Sequence, residues 1–96
     1  MTKYRVMSWH VYLLRCADET LYCGITTDVA RRVAQHNGAL PGGASYTHGR
    51  GPVELLASAP CPDRSAAAKA EWRVKQLPKE RKAQYVVGLS NGLSWE

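Results

Sequence analysis

The sequence predicts an α+β domain built on a small antiparallel sheet, with elements in the order β-β-α-β-α-α. Three observations carry that prediction. Residues 8–25 hold two strand-forming runs separated by a turn of hairpin length. Apolar residues recur at helical spacing in three later segments. A single strand-like run lies between the first and second of those segments. With 96 residues, fewer than the ~100–150 typical of a domain, the chain has room for one, residues 1–96, with its core over about 8–87 and a tail over 88–96. A chain of this size buries only about two-thirds of its unfolded surface, so the core is thin. Phe is absent, and Trp and Tyr must supply the aromatic bulk.

The first strand, residues 8–15 (SWHVYLLR), puts Trp9, Val11 and Leu13 on one face and His10, Tyr12 and Leu14 on the other. Ala17-Asp18-Glu19-Thr20 is the turn, and residues 21–25 (LYCGI) return antiparallel. Thr26-Thr27-Asp28 offers N-cap oxygens for a helix over residues 29–36 (VARRVAQH), with Val29, Ala30, Val33 and Ala34 on one face. Asn37-Gly38 stops that helix, because both residues tolerate the left-handed cap. Residues 38–51 carry five glycines and Pro41 and read as a long irregular loop, of the functional or mobile kind. Val53–Ala59 is a third strand, broken by Pro60 and Pro62. Asp63 caps a helix over Arg64–Leu77 with Ala66, Ala70, Val74 and Leu77 as its stripe. Pro78 opens a last helix, where its missing N–H costs little, and that helix runs to about Val87 and ends at Gly88. The tail to Glu96 reads as irregular, pinned by Trp95.

Composition excludes several classes. Hydrophobic residues make up 45% of the chain, too many for a disordered one. No apolar run approaches the ~18–20 residues needed to span a bilayer. The start imitates a signal peptide, with Lys3 and Arg5 before the run Val6–Leu14 and then Cys16-Ala17, but Ser8 and His10 interrupt the run and it alternates like a strand. A cytoplasmic protein without a membrane partner is the expectation. Cys16, Cys23 and Cys61 are odd in number and lack CxxC spacing, which favours reduced thiols over a disulfide framework or a zinc site. The net charge of +5 is local: from Arg64 to Lys82 there are seven cations and two anions. An excess focused in one segment suits a polyanion-facing surface, although solvated helices also carry many Lys and Arg.

Three groups of residues invite a chemical reading. Tyr12 and Tyr22 lie on neighbouring antiparallel strands, and their phenols project from one face if the register allows; the alternative is two half-buried sheet residues. Arg32 and His36, at i and i+4, lie about 40° apart on a helix, where they can meet a phosphate. They also fit a solvated face on which Asp28 pairs with Arg32. Glu71 is a lone acid among Lys69, Arg73 and Lys75, suited to Mg²⁺ or to an i, i+4 pair with Lys75.

The order of these residues is more specific than any one of them. The run VYLLRCADETLYCGITTDVARRVAQHN, residues 11–37, resembles the GIY-YIG nuclease domain, and in particular its small stand-alone bacterial members. The likeness continues through Gly43-Ala44-Ser45-Tyr46-Thr47, Pro52-Val53-Glu54-Leu55 and residues 70–77 (AEWRVKQL), covering roughly residues 8–85. The resemblance implies a three-stranded antiparallel sheet flanked by helices. It also implies roles: Tyr12 as the tyrosine of the GIY element, Tyr22 and Gly24 as the Tyr and Gly of the YIG element, Arg32 as the essential arginine, His36 as an active-site histidine and Glu71 as the metal-binding glutamate. Two positions depart from the pattern. His10-Val11 stands for Gly-Ile, and Cys23 for the Ile of YIG. Val for Ile changes little, Cys23 packs as a small hydrophobe, and His10 removes a backbone freedom and either crowds the site or adds a ring to it.

The activity implied by the resemblance is metal-assisted hydrolysis of a phosphodiester in DNA, with Mg²⁺ or Mn²⁺ on Glu71, in repair or recombination. Arg32 would stabilise charge on the phosphoryl oxygens, and Tyr12 would take the proton of the attacking water. A phenol with a pKa near 10 is a weak base at neutral pH, so it needs help from Arg32, the metal or His36. Tyr22 would hold the water or a phosphate oxygen. Arg50, Lys75, Lys79, Arg81 and Lys82 are the candidates for contacts to the nucleic-acid backbone, which give affinity with little sequence information. A preference for nicks, flaps, branches or single strands over a defined sequence follows. Tyr46 and His48 in the glycine-rich loop are positioned to stack on bases or to pack over the sheet. The alternative function is a nucleic-acid-binding module with little or no turnover. The oligomeric state is not legible.

Overall fold

The computed structural model describes residues 9–42 and 51–91. The strands are β1 (Trp9–Arg15), β2 (Leu21–Thr26) and β3 (Glu54–Cys61), and the helices are α1 (Val29–His36), α2 (Arg64–Gln76) and α3 (Lys79–Ser90). They form a three-stranded antiparallel sheet in the order β2-β1-β3, in the α+β arrangement expected. β1 is central because its residues are apolar on both faces: Val11, Tyr12, Leu13 and Leu14 are all buried. Its odd residues face α2 and α3. There Val11 and Leu13 pack with Cys23, Ala59, Ala70, Val74, Val86 and Leu89. Its even residues face α1, where Tyr12 and Leu14 pack with Cys16, Val53, Tyr22 and Val33. The domain therefore has two thin cores, one on each side of a single sheet.

The hairpin closes as its residues direct. Cys16 N–H donates to the Thr20 carbonyl at 2.8 Å, and the Asp18 carboxylate accepts from the Thr20 N–H at 3.1 Å. Asp28 caps α1 by accepting from the Arg31 N–H at 3.1 Å, and Gly38 stops it at φ +80°. Asn37 does more than end the helix. Its side-chain amide both accepts from the Val53 N–H (2.6 Å) and donates to the Val53 carbonyl (3.2 Å), tying α1 to the start of β3.

β2 ends and β3 begins one residue later than expected, and three other boundaries differ for a clear reason. β3 continues through Pro60 to Cys61 because it is an edge strand, where a residue without an N–H is tolerated. α2 ends at Gln76, since Pro78 drives Leu77 to ψ 152°. α3 runs through Gly88 to Ser90. Gly in a helix costs about 1 kcal/mol against Ala, and burying Leu89 one residue later returns about 1.5–3 kcal/mol. Tyr46, His48, Arg50 and Trp95 lie outside the described residues.

Candidate active site

The register of the hairpin builds the site. Tyr12 on β1 stands opposite Gly24 on β2, and Leu14 stands opposite Tyr22, so both phenols rise from one face. Gly24 leaves the space that the Tyr12 ring fills: a Cβ at that position would lie 2.5 Å from the Tyr12 hydroxyl oxygen and 2.7 Å from Cζ. The last turn of α1 then lays His36 over the tyrosines. His36 is the only buried residue of α1 and comes from the side of the helix read as polar. Its Nε2 is 2.9 Å from the Tyr12 hydroxyl. The three rings form one cluster, with centroid separations of 6.4 Å for Tyr12–Tyr22, 5.9 Å for Tyr12–His36 and 5.1 Å for Tyr22–His36.

Arg32, one turn before His36, joins the same cluster. Its Nη1 donates to Gln35 Oε1 at 3.0 Å and to the Gly42 carbonyl at 2.6 Å. The side-chain pair with Asp28 does not form, because the Asp28 carboxylate is spent on the helix cap. Gln35 and Gly42 hold the Arg32 guanidinium, a contact that sequence reasoning passed over. The available signal was the i, i+3 spacing of Gln35 to Arg32 on a helix.

Glu71 stands elsewhere, on α2 beyond the opposite face of β2. Its carboxylate pairs with Lys75 at 3.2 Å and acts electrostatically on Cys23. A cavity of about 190 Å³ is lined by Leu13, Leu21, Tyr22, Cys23, Lys75 and Lys82. Tyr22, of the ring cluster, and Lys75, the ion-pair partner of Glu71, both line it. The other predicted cations diverge. Lys82 turns inward to donate to the Val74 carbonyl at 2.7 Å, whereas Lys79 and Arg81 are exposed on the first turn of α3. Arg64 lies over the Trp9 ring. His10 is half-buried on the Tyr12 face, and its Nδ1 is without a hydrogen-bond partner among the described residues.

Residues 8–84 match the family model of the GIY-YIG catalytic domain. The chain belongs to the GIY-YIG family. It is 52% identical over 83 residues to a UPF0213 protein of Vibrio cholerae, across 85% of this chain and 80% of that one. The solution NMR structure of the UPF0213 protein of Bacillus halodurans is similar at a TM-score of 0.51 and 42% identity, covering 90% of this chain and 88% of that one. The solution NMR structure of a protein from E. faecalis is similar at a TM-score of 0.59 and 31% identity, covering 91% of each. The GIY-YIG family is one of nucleases that use divalent metal ions.

In this GIY-YIG domain burial sets the protonation of the ring cluster. Tyr12 is 1% exposed, and burial pushes its phenol up to about 12, against the pull of a hydrogen bond from Arg32. Burial and then the Arg32 charge hold His36 below the ordinary histidine range. With its proton on Nδ1, the neutral imidazole can accept the Tyr12 hydroxyl proton at Nε2. Burial and then the Glu71 carboxylate push the Cys23 thiol up to about 12, and all three cysteines are free and buried, as inert reduced thiols would be.

The lowered His36 pKa has a consequence for stability. The unfolded chain binds this proton near pH 6.5 and the folded chain only at lower pH, so acid favours unfolding. Urea midpoints should fall between pH 7.5 and pH 5.5 in the native protein, and His36→Gln should flatten that slope. An equal slope in the variant would show that His36 is not the group responsible.

Among the described residues no helix is long and apolar enough to cross a membrane, and no three His, Cys, Asp or Glu side chains gather as a metal cage. Glu71, its side chain 25% exposed and paired with Lys75, offers one hard oxygen donor. That fits Mg²⁺ or Mn²⁺, which keep most of their waters and need only one or two protein carboxylates.

Proposed function

We propose that this protein is a Mg²⁺- or Mn²⁺-dependent endonuclease that hydrolyses DNA phosphodiester bonds, selects targets by shape more than by sequence, and serves repair or recombination in the cytoplasm. The observation that carries this reading is the convergence of Tyr12, Tyr22, Arg32 and His36 on one side of the hairpin, over Gly24.

The chain's own groups divide the work. His36, neutral at pH 7, is the base that ends the proton path. The Tyr12 oxygen takes a proton from the attacking water while its own hydroxyl proton passes to Nε2. This relay avoids a free phenolate, which a pKa of about 12 makes scarce. The half-buried Tyr22 hydroxyl orients the water or a phosphate oxygen. Arg32 stabilises charge growing on the phosphoryl oxygens, its guanidinium already positioned by Gln35 and Gly42. Glu71 would hold the divalent ion, which when bound would supply Lewis-acid neutralisation of the leaving oxygen. Lys75, Lys79, Arg81 and Arg50 supply contacts to the nucleic-acid backbone, whereas Lys82 is held inward on the Val74 carbonyl.

A panel of end-labelled single-stranded, duplex, nicked, flap and four-way DNA, with RNA beside it, tests the proposal in Mg²⁺ and in Mn²⁺. Wild type should cut at least one DNA form, and Glu71→Ala should cut none. Retention without cutting under either metal would favour a binding module, the second reading, which the Glu71–Lys75 ion pair supports by occupying the carboxylate.

A further inference from the structure

Trp72 is the most exposed large apolar residue among those described, at 64%. A ring of that size left in water is unusual, since Trp is mostly buried in folded chains. The sequence around it does not suit a protein-facing patch. At helical spacing its neighbours are Lys69 and Lys75, three residues to either side, and Ala68 and Gln76, four residues to either side. Lys69 is exposed, and the Lys75 side chain is 55% exposed. The two cations therefore flank the indole on the solvent side of α2, about 60° round the helix each way. No acid sits at those positions.

We propose that this face of α2 stacks an unpaired nucleobase on Trp72 while Lys69 and Lys75 take the flanking phosphates, so that single-stranded nucleic acid is the form this domain grips. The inference rests on the nuclease reading for its setting and deepens it by naming the substrate class. An aromatic ring between cations matches the alternation of base and phosphate in one strand. A duplex hides the faces of its bases within its own stack, and only an unpaired base offers a face to the indole. Lys75 connects this surface to the ring cluster, since it also lines the cavity beside Tyr22. Its present partner, Glu71, is what it would exchange for a phosphate.

Fluorescence anisotropy with an end-labelled oligothymidine, an oligouridine and a blunt duplex tests the surface on the full chain. Trp72 packs in neither core, so its variants should fold as wild type does. Trp72→Ala and Trp72→Leu should each weaken single-strand binding about tenfold, and Trp72→Phe should stay within about threefold. Duplex binding should be unchanged. Lys69→Gln and Lys75→Gln should each lower the salt slope by about one. A loss on either oligonucleotide supports the site and identifies the strand. The proposal is overturned if wild type binds neither oligonucleotide, if Trp72→Ala binds both as wild type does, if Leu serves as well as Phe, or if the duplex loses equally. It is also overturned if Trp72→Ala only converts a dimer to a monomer in sedimentation. Single-strand grip through Trp72 without cutting in any metal would remove the nuclease reading and leave this one standing. Cutting with unchanged Trp72 variants would do the reverse.

Discussion

Arg32→Ala should lower the rate of strand cleavage by about 10²–10³-fold, the cost typical of one lost donor to a developing oxyanion, about 3–4 kcal/mol. Nearly all of the loss should lie in the chemical step. Arg32 is only part-buried; water can serve Gln35 and the Gly42 carbonyl in its place, and the buried Tyr12 hydroxyl, which it also bonds, keeps its bond to His36. The melting temperature should therefore move by no more than a few degrees. Arg32→Lys should keep the charge and lose the two-pronged donor geometry, and its activity should fall between those of wild type and Arg32→Ala. Single-turnover cleavage with saturating protein separates chemistry from binding. If Arg32→Ala cuts like wild type under those conditions, the proposed role of Arg32 is wrong, whatever the domain does to DNA.

Gly24→Ala should damage stability and activity together. The added methyl would lie 2.5 Å from the Tyr12 hydroxyl oxygen and 2.7 Å from Cζ. A surface tyrosine would swing aside. Tyr12 has nowhere to go: it is fully buried between Leu14, Val33 and Val53 and bonded to His36. Either β2 shifts or the Tyr12–His36 hydrogen bond breaks, and overpacking of this kind costs about 1–3 kcal/mol. Urea denaturation should show that loss, and cleavage should fall well beyond what the unfolded fraction explains. Adding Tyr12→Phe should recover part of the stability by removing the hydroxyl, but not all of it, because Cζ remains. Full stability in Gly24→Ala would mean that the hairpin has slack that the packing does not show.

Much of this architecture was legible in the residues. Alternation in β1 assigned the two faces, and Asp28, Asp63 and Gly38 marked helix ends with side chains and backbone that act locally. Reading failed where tertiary burial outvoted a local signal, as at Gly88, kept in α3 by Leu89, and at Pro60, tolerated by an edge strand. The ring cluster was half visible. Spacing paired Arg32 with His36 and suggested that the tyrosines share a face, but only the register shows that Gly24 must lie beneath Tyr12. The reach of Asn37 to Val53 spans sixteen positions and leaves no periodic trace.

That asparagine clamp has a counterpart. α1 grips the chain twice: at Gly42, through Arg32, and at Val53, through Asn37. Both posts of the glycine-rich stretch are thus fastened to the helix that carries His36. Lengthening or rewriting the stretch between the posts would cost little, since the entropy of closing a loop grows only slowly with its length. Such a change would leave the ring cluster where it is.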